Sequence, residues 1–279
     1  MKYERLDFES YRKLAGLNWT RLKSLRTSAL QFKHDAENER AETKALRIGV
    51  GAHAHVLEPE ELARRCVVFP GPRRAGKEWE AFKLEHAGKM VFSQPEWDCA
   101  IGAGQAVKDN RWADIYLRQG LHELAVTWKD AETGLDLKCR VDHAGPWHVE
   151  LKSTAVIDPR RFNNLVASMG YHCQLAFQDE GLRANGIETH REKIMPVVQS
   201  SAPFDVIVYR VDPSYVEIGR SEVRDLLRKY VECRDKNAWP GRAPEGTLEL
   251  SPPAWLLLGE EGIDMDYGDE SNQLEGDAP

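Results

Sequence analysis

The residues of this sequence with the clearest capacity for chemistry form the pattern Asp142-x7-Glu150-x-Lys152. Glu150 and Lys152 are two residues apart in a segment of alternating apolar and polar side chains, so a strand would project both to one side. Asp142 ends the preceding alternating segment, and a turn at residues 144–146 would fold the two segments together. Carboxylates that meet on an apolar sheet are unfavourable unless a cation binds them. The pattern therefore predicts a site for a hard divalent cation, Mg²⁺ or Mn²⁺.

Glu123 extends this group of carboxylates from a third alternating segment, Leu121–Trp128. The plain alternative is that Glu150 and Lys152 form a solvent-facing pair on an amphipathic strand, because an isolated Glu-x-Lys occurs often by chance. The combination with Asp142 on an adjacent predicted strand is what favours a functional site.

A helix is predicted after these strands, from Asp158 as its N-cap to about Gln178. Apolar residues follow one face of this helix. The other face carries polar side chains at helical spacing: Arg160, Asn164, Tyr171 and Gln174. Exposed polar faces are common in helices, but these side chains are also of the types that bind phosphate oxygens. This face is therefore a candidate for contact with a phosphate-bearing ligand.

The rest of the chain must supply the elements that position these side chains. Helical periodicity dominates the first part, and alternation with period two predicts an antiparallel three-stranded meander in the second. The predicted helices cover residues 20–33, 43–57, parts of 78–118, and 214–236, and the predicted strands cover 121–128, 135–142, 147–153, 193–198 and 204–210. This order predicts an α+β or α/β domain with a helical N-terminal part.

Composition is that of an ordinary globular protein, with 42% hydrophobic and 30% charged residues among 279. The net charge is −7, but residues 259–279 contain eight acids and neither Lys nor Arg, so the rest of the chain carries +1. The net charge therefore does not exclude a polyanionic ligand.

We expect one domain over residues 1–258, with a helical part at about 1–118 and a core at about 119–240. Residues 259–279 are expected to form a disordered acidic tail.

Cysteine usage and hydropathy exclude several classes of protein. The five cysteines are widely spread and form no Cys-x-x-Cys pair, which argues against a zinc ribbon, an iron–sulfur cluster and a disulfide framework. No run approaches the roughly 18 apolar residues of a membrane helix, and the first residues lack the apolar segment of a signal peptide. We therefore expect a cytoplasmic protein with no membrane partner.

Three segments together resemble a known family. They are residues 134–142 (GLDLKCRVD), 149–154 (VELKST) and 171–177 (YHCQLAF). Their combination is similar to the PD-(D/E)XK nuclease superfamily and, within it, to the nuclease domains of the prophage exonuclease VIII (RecE-type) group. The resemblance covers about residues 17–210, with supporting similarity at 19–33, 49–53 and 76–79.

The resemblance implies a restriction-endonuclease-like core of the α/β (α+β) class, with a central mixed β-sheet flanked by helices. It implies Mg²⁺ or Mn²⁺ as the cofactor, with two ions in each site. Asp142 and Glu150 would bind the catalytic ion together with the Leu151 carbonyl. Glu123 and His53 would contribute near the second ion.

The resemblance also implies roles for the remaining polar side chains. Lys152 would position or deprotonate the attacking water, and Tyr171 and Gln174 would hold substrate or organise the site. Candidate DNA contacts lie on the predicted helix and in the Pro- and Gly-rich loop at residues 70–77, which could equally be a solvated connector. They are Arg160, Arg161, Asn164, Arg73, Arg74 and Lys77.

Two histidines compete for the ligand position on the predicted helix at residues 43–57. Only His53 follows Gly49 with the Gly-x-x-x-His spacing of the family, whereas His55 does not. The alternative for His53 is a hydrogen-bonded histidine in the core with no ligand role.

The implied activity is that of a metal-dependent exodeoxyribonuclease that degrades linear double-stranded DNA from 5′ to 3′ and leaves single-stranded overhangs for phage-type recombination. The resemblance further implies a phage- or prophage-encoded protein of a bacterial host, a homo-oligomeric ring of three or four chains, and a single-strand annealing protein as partner. Related nucleases that carry an iron–sulfur cluster are disfavoured, because this chain lacks their cysteine set. Two alternatives stay open: a restriction-like or structure-specific endonuclease on the same core, and a non-catalytic scaffold for DNA ends.

Overall fold

The computed structural model describes residues 2–38 and 41–252. The chain divides into a first compact unit, Met1–Arg242, and a second, Ala243–Pro279. In the second unit, the described residues 243–252 contain neither helix nor strand. The acidic tail at residues 259–279 lies outside the described residues, so its disorder stays a prediction.

Nine strands are present in the described residues, and they form two sheets. They are β1 (Lys2–Arg5), β2 (Cys66–Val68), β3 (Met90–Phe92), β4 (Leu121–Lys129), β5 (Asp136–Ala144), β6 (His148–Val149), β7 (Lys152–Thr154), β8 (Lys193–Gln199) and β9 (Val206–Val211). Seven of them form a mixed sheet in the order β1–β4–β5–β6–β8–β7, in which β9 also pairs with β8. β2 and β3 pair in parallel as a separate small sheet.

The helices precede, interrupt and follow these strands. They are α1 (Phe8–Lys13), α2 (Trp19–Leu22), α3 (Ala29–Glu37), α4 (Lys44–Leu57), α5 (Leu62–Arg65), α6 (Gly76–Glu85), α7 (Gln94–Asp109), α8 (Arg111–Leu117), α9 (Pro159–Met169), α10 (Tyr171–Ala184) and α11 (Pro213–Lys236), with a 3₁₀ helix at Lys23–Arg26. Among the described helices, none has the length and apolar character needed to cross a bilayer.

Helices cover both faces of the large sheet. On one face, Val126 of β4 and Cys139 of β5 pack in a core with α2, α3, α10 and α11. On the opposite face, Leu151 and Val198 pack with α4 and α7. The alternation along the strands produces this arrangement, because neighbouring residues of one strand enter different cores. The predicted α/β class, with a central mixed sheet flanked by helices, is confirmed.

The predicted meander is also confirmed, with one difference. β4 pairs with β5, and β5 with β6, both antiparallel. The third predicted strand, residues 147–153, is interrupted: β6 ends at Val149, and β7 begins at Lys152. The two residues between them, Glu150 and Leu151, belong to the candidate site.

The single helix predicted from Asp158 to about Gln178 is wrong, because the chain turns at Gly170. Asp158 does cap the first helix, since its side chain accepts a hydrogen bond from the Arg161 amide. Gly170 has a φ of +69° and separates α9 from α10. Only glycine adopts this left-handed conformation without a steric penalty. Arg160 and Asn164 therefore lie on a different helix from Tyr171 and Gln174, and the predicted continuous polar face does not exist.

We expect Gly170→Ala to destabilise the fold more than Gly186→Ala. Both glycines have φ near +70°, so an alanine at either position costs about 1–2 kcal/mol in backbone strain. At Gly170 the added Cβ would also lie 2.7 Å from Arg26 Nη1 and 2.9 Å from Trp19 Cζ2, whereas at Gly186 it meets no atom within 4 Å. Urea unfolding midpoints of the two variants measure the difference, and equal midpoints would contradict the steric argument.

Candidate active site

The candidate site lies where two strands of the large sheet separate. β5 and β6 pair at only two positions, and the pair nearer to the site joins His143 with Val149. The next position in this antiparallel register would match Asp142 with Glu150, but the pairing ends there. The two carboxylates therefore flank the opening between the strands, where residues are released from the ladder.

Backbone groups at the interruption hold the separated strands together. The Glu150 N–H donates to the Ile194 carbonyl of β8 at 2.9 Å, as in a regular strand. The Leu151 N–H instead donates to Asp142 Oδ2 at 2.8 Å. The Leu151 side chain is fully buried and fixes this peptide in the core beneath the site. Asp142 is thus oriented by the residue next to Glu150.

Glu123 approaches the same opening from β4, at the position opposite Asp142 that the β4–β5 pairing skips. Its φ of +53° is in the left-handed region, which costs of the order of 1–3 kcal/mol for a residue with a Cβ and is found where the surroundings impose it. Its buried carboxylate contacts Arg140, with 3.0 Å between Oε2 and Nη1. The Arg140 guanidinium also donates to Glu58 at 2.6 Å. Arg140 therefore joins two buried carboxylates behind the site.

α4 brings His53 to the site from the opposite helical layer. The helix comes close to β7 because Gly49 has no side chain: a Cβ there would lie 3.1 Å from Ser153 Oγ. His53 Nδ1 is 3.6 Å from Asp142 Oδ2. Burial, together with the charge of Lys152, lowers the pKa of His53 to about 4, so the imidazole is neutral at pH 7 and able to bind a metal. His55, the competing histidine, contacts Gln105 on α7 instead.

Lys152 connects Glu150 with α10. Its Nζ donates to Glu150 Oε1 at 2.5 Å and to Gln174 Oε1 at 3.1 Å, and it lies 4.7 Å from the centre of the Tyr171 ring. Gln174 also donates through Nε2 to Glu150 Oε1. The structure therefore brings together the lysine and the two α10 residues predicted from the sequence. A cation over an aromatic face and beside a carboxylate is held strongly in one position.

Burial raises the pKa values of the three carboxylates, and the charge of Asp142 adds to the effect on the other two. Burial, followed by the charge of Asp142, raises the pKa of Glu123 to about 8. Burial also raises the pKa of Asp142 to about 6, although Lys152 and the Leu151 N–H act in the opposite direction. The pKa of Glu150 is raised by burial and by Asp142. Without a cation, such a cluster retains protons that isolated carboxylates would lose.

Gln178 is a member of the site that the sequence analysis missed. One helical turn after Gln174 on α10, its Nε2 donates to Glu150 Oε2 at 2.9 Å and to the Arg140 carbonyl at 3.2 Å. Its Oε1 is 3.0 Å from His148 Nε2. Both oxygens of Glu150 are thus held by glutamines of one helix. The spacing Gln174-x-x-x-Gln178 was the available signal, because residues four apart share a helix face.

The donor set suits a hard divalent cation. Ligand atoms of His53, Glu123 and Asp142 lie within 4.8 Å of one another, and His53 also hydrogen-bonds the Leu151 backbone. Carboxylate and carbonyl oxygens with one imidazole are ligands that Mg²⁺ and Mn²⁺ accept. Glu150 lies beside this group across the strand opening. The geometry is compatible with metal binding by these four side chains, and their assignment as ligands stays a prediction.

The predicted DNA contacts on α9 are exposed. Arg160, Arg161 and Asn164 lie on the surface of this helix, and α9 packs through Phe162 and Val166 on the face that contacts α10 and β8. Their role in DNA binding stays a prediction.

The three DNA contacts predicted in the loop at residues 70–77 have different surroundings. Arg73 and Lys77 are exposed. Arg74 instead forms an ion pair with the buried Glu96, which also pairs with Arg47 at 2.7 Å. Burial would raise the pKa of Glu96, but hydrogen bonds from the two arginines outweigh it and lower the pKa to about 2. Arg74 therefore has a structural contact that the sequence analysis did not anticipate.

We expect added Mg²⁺ to raise the melting temperature more at about pH 8 than at about pH 5. Because the folded-state pKa values of Asp142 and Glu123 are raised, the folded protein loses stability as pH rises from about 4 to 8, and a bound cation restores it. The gain should be several degrees and should be absent in Asp142→Asn. A gain that is equal at both pH values, or unchanged in the variant, would place the cation elsewhere.

Comparison with known proteins agrees with the PD-(D/E)XK-like fold expected from the sequence. A model of the family described as PDDEXK-like domain of unknown function (DUF3799) matches residues 19–249. No curated protein matches the sequence. The structure is similar to the crystal structure of a candidate exonuclease from Eubacterium rectale, with a TM-score of 0.61 and 14% identity over 93% of this chain and 100% of that chain. At this identity the similarity shows the fold alone. The chain belongs to the family of PDDEXK-like domains that matches most of its length.

Proposed function

We propose that the protein is a metal-dependent deoxyribonuclease that degrades linear double-stranded DNA from its ends, from 5′ to 3′. The observation that carries the proposal is the placement of Asp142, Glu150 and Lys152 at one strand opening, with Glu123 and His53 beside them. The three buried carboxylates keep raised pKa values although Lys152 and Arg140 lie beside them, so the cluster is unfavourable in a purely structural role. They are the groups required for hydrolysis of a phosphodiester with the help of a cation.

In this proposal Asp142, Glu150 and the Leu151 carbonyl hold the catalytic ion, and Glu123 and His53 hold a second. Bound Mg²⁺ or Mn²⁺ would polarise the scissile phosphate and lower the pKa of a coordinated water. The protein orients its ligands through the Leu151 N–H on Asp142 and the Gln178 amide on Glu150. Fixed ligands of this kind need little rearrangement during the reaction.

Lys152 contributes positive charge beside the reacting phosphate. Burial would lower its pKa, but the charges of Glu150 and Asp142 outweigh this effect and raise it. The ammonium therefore stays protonated at neutral pH. Its role as a donor that positions the water and stabilises developing negative charge is favoured over deprotonation of the water, which requires the neutral amine.

Activity on DNA ends is proposed from the RecE-type motifs, and the similar fold of the Eubacterium rectale protein is compatible with it. Generation of overhangs for phage-type recombination, a ring of three or four chains and an annealing partner rest on the same resemblance. An endonuclease on the same core is the second candidate. A non-catalytic scaffold is disfavoured, because a site without activity has no need to keep all three groups of Asp142, Glu150 and Lys152.

The test is cleavage of linear duplex DNA labelled at either the 5′ or the 3′ end, with Mg²⁺ and with a chelator. We expect release of the 5′ label first, no attack on covalently closed circles, and no cleavage with chelator. Asp142→Asn, Glu150→Gln and Lys152→Ala should each lower the rate by about 100-fold or more. Lys129→Ala is the matched control, because Lys129 is an exposed lysine on β4 that pairs with Asp136. Cleavage of closed circles would favour the endonuclease, and DNA binding without cleavage by the unmodified protein would favour the scaffold.

We expect Gln178→Leu to lower the rate by about tenfold or more, as loss of a residue that orients a metal ligand does. The Gln178 hydrogen bond lowers the pKa of Glu150, so its removal should also shift the acid side of the pH–rate profile to higher pH. Gln94→Leu is the control, since Gln94 is exposed and bonds only Asp98 among the contacts described. An unchanged profile in Gln178→Leu would show that the amide does not act on Glu150.

A further inference from the structure

A second group of metal-binding side chains lies between α10 and α11. His172 and Cys173 are in the first turn of α10, and Glu222 is in α11. His172 Nε2 is 3.3 Å from Cys173 Sγ and 3.2 Å from Glu222 Oε2. All three donor atoms lie within 4.8 Å of one another. His172 and Cys173 are buried, whereas the Glu222 side chain is 32% exposed.

The hydrogen bonds around His172 leave two acceptors that share one weak donor. His172 Nδ1 lies 3.3 Å from the Val166 carbonyl, which can only accept, so Nδ1 carries a proton. In the neutral ring, Nε2 then presents a lone pair toward the Glu222 carboxylate, which is also an acceptor. Of the three side chains, only the Cys173 thiol has a proton to direct at Nε2 or at Glu222 Oε2, so two acceptors share one weak donor, and a cation between them would satisfy both.

We propose that His172, Cys173 and Glu222 form a zinc site. Imidazole, thiolate and carboxylate are the ligands that Zn²⁺ prefers in proteins, and tetrahedral bonds of about 2.0–2.3 Å place neighbouring ligand atoms about 3.3–3.6 Å apart. The observed separations of 3.3 Å and 3.2 Å are close to these values. A histidine that binds zinc through Nε2 ordinarily donates Nδ1–H to a carbonyl or carboxylate, as His172 does to Val166.

Neighbouring groups act on the other two ligands, because one orients Glu222 and the others keep Cys173 as the thiol until a cation binds. Arg26 Nε donates to Glu222 Oε1 at 2.6 Å, which fixes the carboxylate and leaves Oε2 directed at His172. Burial and Glu222 raise the pKa of the Cys173 thiol, so its thiolate is stable only beside a cation. Binding would break the Cys173 S–H bond, form a Zn–S bond and release the proton to solvent.

The cluster lies at a close contact of the two helices. A Cβ added at Gly219 of α11 would lie 2.4 Å from the His172 carbonyl oxygen, so the helix backbones touch beside the proposed ligands. A zinc ion here would join α10 to α11 and, through Val166 and Arg26, to the end of α9. This site shares no ligand with the carboxylate cluster, and the proposal does not rest on the proposed nuclease activity.

The test uses the full-length protein after removal of bound metal, titrated with Co²⁺ as a spectroscopic substitute for Zn²⁺. We expect one equivalent to give a sulfur-to-cobalt charge-transfer band that Zn²⁺ abolishes. Cys173→Ser should lose this band, and Glu222→Gln should bind at least about tenfold more weakly. Cys99→Ser is the matched control, because Cys99 lies on α7 and is the least buried of the cysteines. Asp142→Asn should keep the band, which separates this site from the carboxylate cluster.

Absence of the band from the unmodified protein would overturn the proposal, as would a band that persists in Cys173→Ser. The three side chains would then form a hydrogen-bonded cluster without an ion. Because Cys173→Ser places a hydroxyl in a fully buried position, its circular dichroism is compared with that of the unmodified protein. If that variant does not fold, Glu222→Gln decides, since Glu222 is partly exposed and unchanged Co²⁺ affinity there would also refute the site.

Discussion

The separation of β5 from the strand formed by β6 and β7 is the constraint on which the site depends. It releases the Leu151 N–H from the ladder to bind Asp142, and it places Glu150 within reach of α10. Burying these carboxylates is unfavourable. The surrounding donors offset only part of that penalty, because the pKa values of Asp142 and Glu150 stay raised. The fold therefore maintains a concentration of negative charge that a divalent cation can relieve.

Side chains from both helical layers contact the carboxylates at this opening. α4 supplies His53 on one side of the sheet, and α10 supplies Gln174 and Gln178 on the other. The interruption of the strand is what lets side chains from both layers reach the same carboxylates, because a regular strand would divide them between its faces. The Glu123 backbone, with its φ of +53°, is a further departure from regular geometry at the same place. Local strain of this kind is typical of functional sites.

The sequence was sufficient to predict the groups whose positions follow from strand alternation. Asp142 lies on β5, Glu150 directly after β6 and Lys152 at the start of β7, so their proximity follows from the local pairing of β5 with β6 around a short turn. The turn at Gly170 could not be predicted in this way, because a glycine within a helical pattern is compatible with a continuous helix. The pairing of Arg74 with Glu96 and of Arg140 with Glu58 joins residues distant in sequence. Such contacts depend on the packing of whole elements, which periodicity does not specify.

The first turn of α10 directs its side chains into two different chemical environments. The break at Gly170 makes this arrangement possible, because a new helix begins there. Tyr171 and Gln174 are three residues apart and contact Lys152, while His172 and Cys173 between them contact Glu222 of α11. Helical geometry separates these pairs by about 100° per residue, so hard oxygen ligands and softer nitrogen and sulfur ligands remain apart. On the zinc proposal, an ion that fixes His172 and Cys173 would also fix the orientation of Tyr171 and Gln174, since one helical turn carries all four. Metal binding at the helix contact would then support the geometry of the carboxylate cluster without contributing a ligand to it.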